Sequence, residues 1–272
     1  MLYGVKMLIC GIFVGIAAIL PGISGGVLTV IFGIYQPLME VLAHPFKKAK
    51  QYFNMLVPFA IGGVVGFIGF AKVVSFLLAQ NSGYTLSVFL GLTLGMFPSI
   101  FQEAGSRGRN KNAIIGFIGS FMLFLCLLLF LKTHQINLPT NIFTYFLCGI
   151  AWGLSIIVPG MSSSATLIFL GLYQPMTDGI AAFNLEVLIP LAMGFMMTLL
   201  SLSKLVHVLF EKHYTGMYHI ILGIVVSSTV LTIPTHFESQ FDLWMNILCV
   251  LLGFLFTLVW ETFAKKIQKK VV

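Results

Sequence analysis

The sequence predicts an all-α polytopic membrane protein: an inverted-topology duplication in which each half is a PG-x-S helical hairpin followed by three transmembrane helices. Three observations predict it. First, 58% of the 272 residues are hydrophobic and 8% are charged, against about 25% charged in a soluble domain; with a mean hydropathy of +1.02 the bilayer is the solvent for most of the chain. Second, the stretch 11–40 is repeated at 149–178. Third, Lys and Arg gather in the loops that the resulting topology places on one side of the membrane.

The first hairpin begins at the N-terminus. Lys6 ahead of an apolar stretch raises a signal peptide as one reading, but the stretch passes Pro21 and resumes through Tyr35 without an A-x-A-like cleavage site, so it reads as mature fold. GIFVGIAAILPGISGGVLTVIFGIYQPLME from Gly11 faces GIAWGLSIIVPGMSSSATLIFLGLYQPMTD from Gly149. At a constant offset of 138, Gly11, Gly15, Pro21, Gly22, Ser24, Gly33, Tyr35, Gln36 and Pro37 fall on Gly149, Gly153, Pro159, Gly160, Ser162, Gly171, Tyr173, Gln174 and Pro175. Each segment is an apolar arm, a Pro-Gly break and a second apolar arm of similar length. Proline disfavours helix in the residue before it and removes a donor, and glycine permits a tight reversal, so two helices joined by a turn are expected. A re-entrant hairpin and a pair of full spans both return to the same side. PGISGG and PGMSSSA lack the charged and aromatic residues of a turn that emerges among headgroups, which favours the re-entrant form.

Three apolar spans follow each hairpin, at about 54–79, 84–102 and 112–131 and at about 186–210, 216–234 and 243–263. The repeat continues through them at an offset of 132, which brings Pro58, Gly62, Lys72 and Gly91 onto Pro190, Gly194, Lys204 and Gly223. The halves are therefore expected at 1–138 and 139–272. Three crossings after a hairpin that returns to its own side make the second half enter upside down. With the N-terminus inside, twelve basic residues fall on the cytoplasmic side, from Lys6 and Lys47 through Arg107 and Lys212 to Lys270; Lys132 alone falls outside. Both termini are then cytoplasmic. The net charge of +7 belongs to this topology, and no basic face suits a nucleic acid.

Chemistry concentrates at the two turns. Two breaks entering from opposite sides bring their tips together near the midplane, the geometry of secondary transporters. The candidate binding residues are Pro21, Gly22, Ser24, Gly25 and Gly26 in the first turn and Pro159, Gly160, Ser162, Ser163 and Ser164 in the second. Free N–H groups at a helix start, glycines that admit a ligand oxygen and serine hydroxyls suit a phosphate or carboxylate. Close helix packing is the structural alternative, as the G-x-x-x-G spacings at Gly11 with Gly15 and Gly149 with Gly153 suggest. Lys72 and Lys204 lie within spans, either snorkelling to the nearer surface or neutralising an anion. His207 lies within a span near Lys204; His44, His134, His213, His219 and His236 are expected at or near loops. Four dispersed cysteines, without C-x-x-C spacing, imply neither a metal site nor a cofactor.

With G-x-x-x-G-x-x-x-x-x-P-G-I-S-G-G from Gly11, G-I-Y from Gly33, the second P-G-x-S and G-L-Y from Gly171, the sequence resembles a bacterial polytopic family of polyprenyl-phosphate transporters, over nearly its full length. The resemblance implies transport of undecaprenyl phosphate from the outer to the inner leaflet of the cytoplasmic membrane, recycling the carrier lipid of wall polymer synthesis; a homo-oligomer stays open. Many members carry an acid shortly before the first Pro-Gly, where this chain has Ala18, Ile19 and Leu20, so proton coupling through that acid does not carry over. A transporter of a small soluble anion would use the same tips. A membrane undecaprenyl-pyrophosphate phosphatase would need an arginine after the motif serine and paired glutamates, whereas Ser24 precedes Gly25 and Gly26, and Ser162 precedes Ser163 and Ser164; an enzyme is not expected.

Overall fold

A computed structural model describes residues 2–271 apart from 22, 24, 44, 134–137, 158–163 and 235–236, and among the described residues it is helical with no strand. The first hairpin opens with α1 (Leu2–Ile19), which ends just before Pro21, as the conformational restriction ahead of proline requires. The second arm departs from expectation. It is not one helix of similar length but a seven-residue α2 (Gly25–Ile31) and a nine-residue α3 (Tyr35–Ala43). The cause is the G-I-Y sequence: Gly33 takes φ +70, and Ile34 N–H donates to Thr29 O at 2.8 Å, closing α2 with a left-handed cap. Pro37 then falls in the first turn of α3, where its missing N–H costs nothing. The second half repeats this, with α8 (Ser164–Phe169) capped by Gly171 at φ +70 and by Leu172 N–H to Leu167 O at 3.0 Å before α9 (Tyr173–Ala181).

The first three spans are α4 (Pro45–Gln80), α5 (Ser82–Ala104) and α6 (Lys111–Thr133). The 36 residues of α4 cover roughly 54 Å at 1.5 Å per residue, because a basic first turn and a half precede the apolar part. There Glu40 of α3 accepts from Tyr52 at 3.0 Å and pairs with Lys48 at 3.3 Å, which together hold its carboxyl below the usual carboxylate range. Asn81 caps α5 by accepting from Tyr84 N–H at 2.9 Å.

The second half runs through α7 (Ile142–Ile157), α8, α9, α10 (Leu185–Met197), α11 (Ser203–Thr232) and α12 (Gln240–Val271). Between α9 and the next helix the chain bends by 113°, with Phe183 at φ 54. The span expected at 186–210 is not a single regular α-helix: α10 passes into a five-residue π-helical turn, Thr198–Leu202, before α11. No loop separates that span from the next; His213, with φ −131 and ψ 35, marks the change of direction within α11. Among the described residues five helices are long and apolar enough to cross a membrane, and the bent pair makes a sixth candidate.

Two kinds of pairing assemble these helices. Within the halves, α1 lies on α4 and α7 on α10. Between them, α5 packs on α12 and α6 on α11. The pairings are close because glycines allow backbones to touch: a methyl group on Gly11 or Gly15 would overlap the Phe59 or Gly63 carbonyl of α4, and one on Gly62 or Gly66 would overlap the Leu8 or Ile12 carbonyl of α1. This is the small-residue packing that drives helix association where apolar burial gives no net gain. Hydrogen bonds add to it across halves, Ser87 Oγ to Asn246 Oδ1 at 2.6 Å and Ser120 Oγ to Ile220 O at 3.0 Å. Outward-facing positions of the peripheral helices are large and apolar, with Leu123 of α6 73% and Val259 of α12 70% exposed, as a surface solvated by lipid requires.

Candidate functional site

A cavity of about 510 Å³ lies between α1, α2, α4, α7, α8 and α10, where the first hairpin meets the second half. It reaches both turns: Gly25, the first residue of α2, and Ser164, the first of α8, line it. Its wall is almost entirely apolar. The first half gives aliphatic, phenylalanine and glycine positions, among them Val14, Ala18, Phe59 and Phe67. Among the described lining residues the polar side chains are Trp152, Ser155 and Ser164, all from the second half. No Lys, Arg, Asp or Glu is among the described lining residues. Ala60, Val64 and Ala192 line it from exposed positions on α4 and α10, so the cavity is not closed off from the outside of the bundle.

The turn residues themselves are partly visible. Pro21 is fully buried, Gly26 is buried with its carbonyl accepting from Thr29 Oγ1 at 2.6 Å, and Ser164 is 3% exposed. Gly22, Ser24, Pro159, Gly160, Ser162 and Ser163 lie outside the described residues. Lys72 is exposed toward the end of α4, its Nζ 5.0 Å from the centre of the Phe183 ring, and does not line the cavity. Lys204 and His207 are in α11, with side chains outside the described set.

Three features escape sequence reasoning. Tyr173 is 1% exposed, and its hydroxyl donates to Ile19 O at 2.7 Å. The tyrosine of the second G-x-Y thus reaches across to the last turn of α1 and holds the base of the opposite tip. Trp152 is 5% exposed and packs edge-on against Phe67 of the first half, ring centres 4.6 Å apart. His219, expected near a loop, is 5% exposed inside α11, its Nδ1 donating to Thr215 O at 2.7 Å. The repeat does flag Tyr173, as an identity with Tyr35; Trp152 faces Val14 at the same offset and carries no such signal.

A family profile described as undecaprenyl phosphate translocase-like matches residues 3–107 and 100–246. The chain belongs to this translocase-like family. Among its relatives, a polyprenyl-phosphate transporter of Vibrio cholerae serotype O1 is 26% identical over 219 residues, 75% of this chain and 69% of the relative. A polyprenyl-phosphate transporter of Staphylococcus aureus is 22% identical over 263 residues, 91% of this chain and 93% of the relative. No solved structure matches the chain. For a translocase-like protein the cavity has an appropriate character: apolar walls suit a hydrocarbon, and Trp152, Ser155 and Ser164 bring polar atoms to it.

Proposed function

We propose that the protein carries polyprenyl phosphate across the bacterial cytoplasmic membrane, taking undecaprenyl phosphate from the outer to the inner leaflet and so returning the carrier lipid to wall polymer synthesis. The observation that carries this reading is the apolar cavity between the halves, which meets both PG-x-S turns at Gly25 and Ser164. A small hydrated anion would leave its water for a wall without a charged side chain among the described residues, at a cost of several kcal/mol. A lipid brings its own apolar tail, and only its headgroup needs the polar positions. The cavity therefore favours a lipid phosphate over a soluble anion. It equally favours transport over hydrolysis, since no carboxylate pair lines it among the described residues.

In this reading the halves at 1–138 and 139–272 have inverted topology with both termini cytoplasmic. Support comes from the charge distribution and from the reciprocal pairing of α5 with α12 and α6 with α11. The hairpins are re-entrant: α2 and α8, at seven and six residues, cover roughly 10 Å of a 30 Å hydrocarbon core. Pro21, Gly22, Ser24, Gly25 and Gly26 face Pro159, Gly160, Ser162, Ser163 and Ser164 across the headgroup. Lys72 and Lys204 serve as countercharges, Lys72 from a position outside the cavity.

The test is lipid movement in liposomes. Protein with verified insertion moves a labelled polyprenyl phosphate between leaflets, and Ser24→Ala combined with Ser162→Ala slows it roughly tenfold or more, two hydrogen bonds at about 1 kcal/mol each. Lipid movement no faster with the inserted protein than without it sinks the proposal.

A further inference from the structure

Among the described lining residues the polar side chains of the cavity come from the second half, and one of them is an unmet donor. Trp152 Nε1 is buried without a hydrogen-bond partner among the described residues, in a ring 5% exposed. An indole nitrogen only donates, and leaving a donor buried and unmet costs about 1–3 kcal/mol, so such groups are few and call for an explanation. Ser155, one helical turn further along α7, lines the same wall and donates to Ala151 O at 3.2 Å; Ser164 completes the set. The residues at the repeat positions in the first half are Val14, Ala17 and Gly26, which offer no side-chain donor.

We infer that Trp152 is a headgroup-binding residue: its indole N–H takes a phosphate oxygen of the bound lipid, and the cavity holds that lipid with its phosphate between the two turns and its hydrocarbon along the apolar wall that Val14, Phe59 and Phe67 build. This rests on the lipid-phosphate reading of the same cavity. The nitrogen is sealed in the present arrangement, and Phe67 rests edge-on against the indole with ring planes at 75°. Admission of the headgroup parts the two rings and supplies the missing acceptor. The acceptor is an anion in a low-dielectric site, where a hydrogen bond to a charged group is about twice as strong as one between neutral groups.

The chain has three tryptophans, so the Trp152 indole N–H signal is one of three and can be followed in full-length protein in nanodiscs. A farnesyl monophosphate probe is expected to move the Trp152 indole proton downfield at saturation. Farnesol and inorganic phosphate, the tail and the headgroup supplied separately, leave it in place. Trp152→Phe, which keeps a ring against Phe67, assigns the signal and weakens farnesyl phosphate binding about tenfold while leaving farnesol binding unchanged. A Trp152 signal that stays put while farnesyl phosphate saturates the protein overturns the inference and leaves the lipid-phosphate reading standing. An equal shift with farnesol, or with inorganic phosphate alone, overturns it by assigning the donor to the tail's hydroxyl or to a free ion. Absence of any farnesyl phosphate binding to wild-type protein removes the underlying reading as well. The wild-type spectrum decides these outcomes even where Trp152→Phe does not fold.

Discussion

The α1–α4 pair and the α7–α10 pair occupy corresponding places in the two halves and differ at one contact. In the first, four glycines interlock, Gly11 and Gly15 with Gly62 and Gly66, and α4 runs unbroken. In the second, Gly149 and Gly194 keep their backbone contacts with Leu191 and Phe146, but the position that repeats Gly66 is Thr198. A methyl group on Gly153 would meet Thr198 Cβ first, at 2.5 Å, with the Phe195 carbonyl at 3.2 Å. The π-helical turn begins at Thr198, whose hydroxyl donates to Gly194 O at 2.9 Å. A β-branched side chain at a point of backbone contact, bonded back to its own helix, leaves the helix to widen by one residue. Such turns recur at functional sites, and Leu199 within this one lines the cavity.

Exchanging the two residues tests that reading. Gly66→Thr places a branched side chain against the Ile12 carbonyl, so α1 and α4 must separate. A loss of about 3 kcal/mol or more is expected, read as a lowered unfolding midpoint in detergent; a midpoint within a few degrees of wild type removes the glycine contact as a determinant of α4. The reverse change, Thr198→Gly, takes away a fully buried side chain and its hydrogen bond, for a smaller loss of about 1–2 kcal/mol. Amide exchange across 198–202 is expected to slow as the regular helix replaces the π turn, and unchanged exchange would show that Thr198 does not cause it. The smallest effect concerns the contact between halves. Tyr173→Phe deletes the donor to Ile19 O and is expected to cost about 1 kcal/mol, with faster exchange at the end of α1 and unchanged exchange in α12. Equal changes in both places would make Tyr173 a general packing residue.

Helix identity and order were legible in the sequence because long apolar runs and a constant repeat offset are signals spread over many residues. The close packing at Gly11, Gly15, Gly149 and Gly153 was legible for the same reason. The short α2 was hidden because Val27 to Phe32 is apolar but for Thr29 and runs on past the end of the helix at Ile31; the stop lies in the backbone conformation of Gly33. The mirrored lysines suggest a pair at the anion, and sequence alone does not reveal that Lys72 stands outside the cavity with its ammonium over the Phe183 ring. Trp152 had no periodic signal: a donor hidden on an aromatic ring looks apolar in any pattern of hydrophobicity.

The exchange of partners between halves also sets an order of assembly. The helix that α5 packs on, α12, leaves the ribosome long after α5 does. Synthesis from Ala104 to Gln240 at about 5–20 residues per second takes roughly 7–27 s. During that interval Asn246 has not arrived to accept from Ser87, and the glycine face of α5 meets lipid or the insertion machinery. A chain truncated anywhere before α12 therefore leaves an early helix unmatched in the bilayer, which makes the arrival of α12 a checkpoint for the packing of the first half.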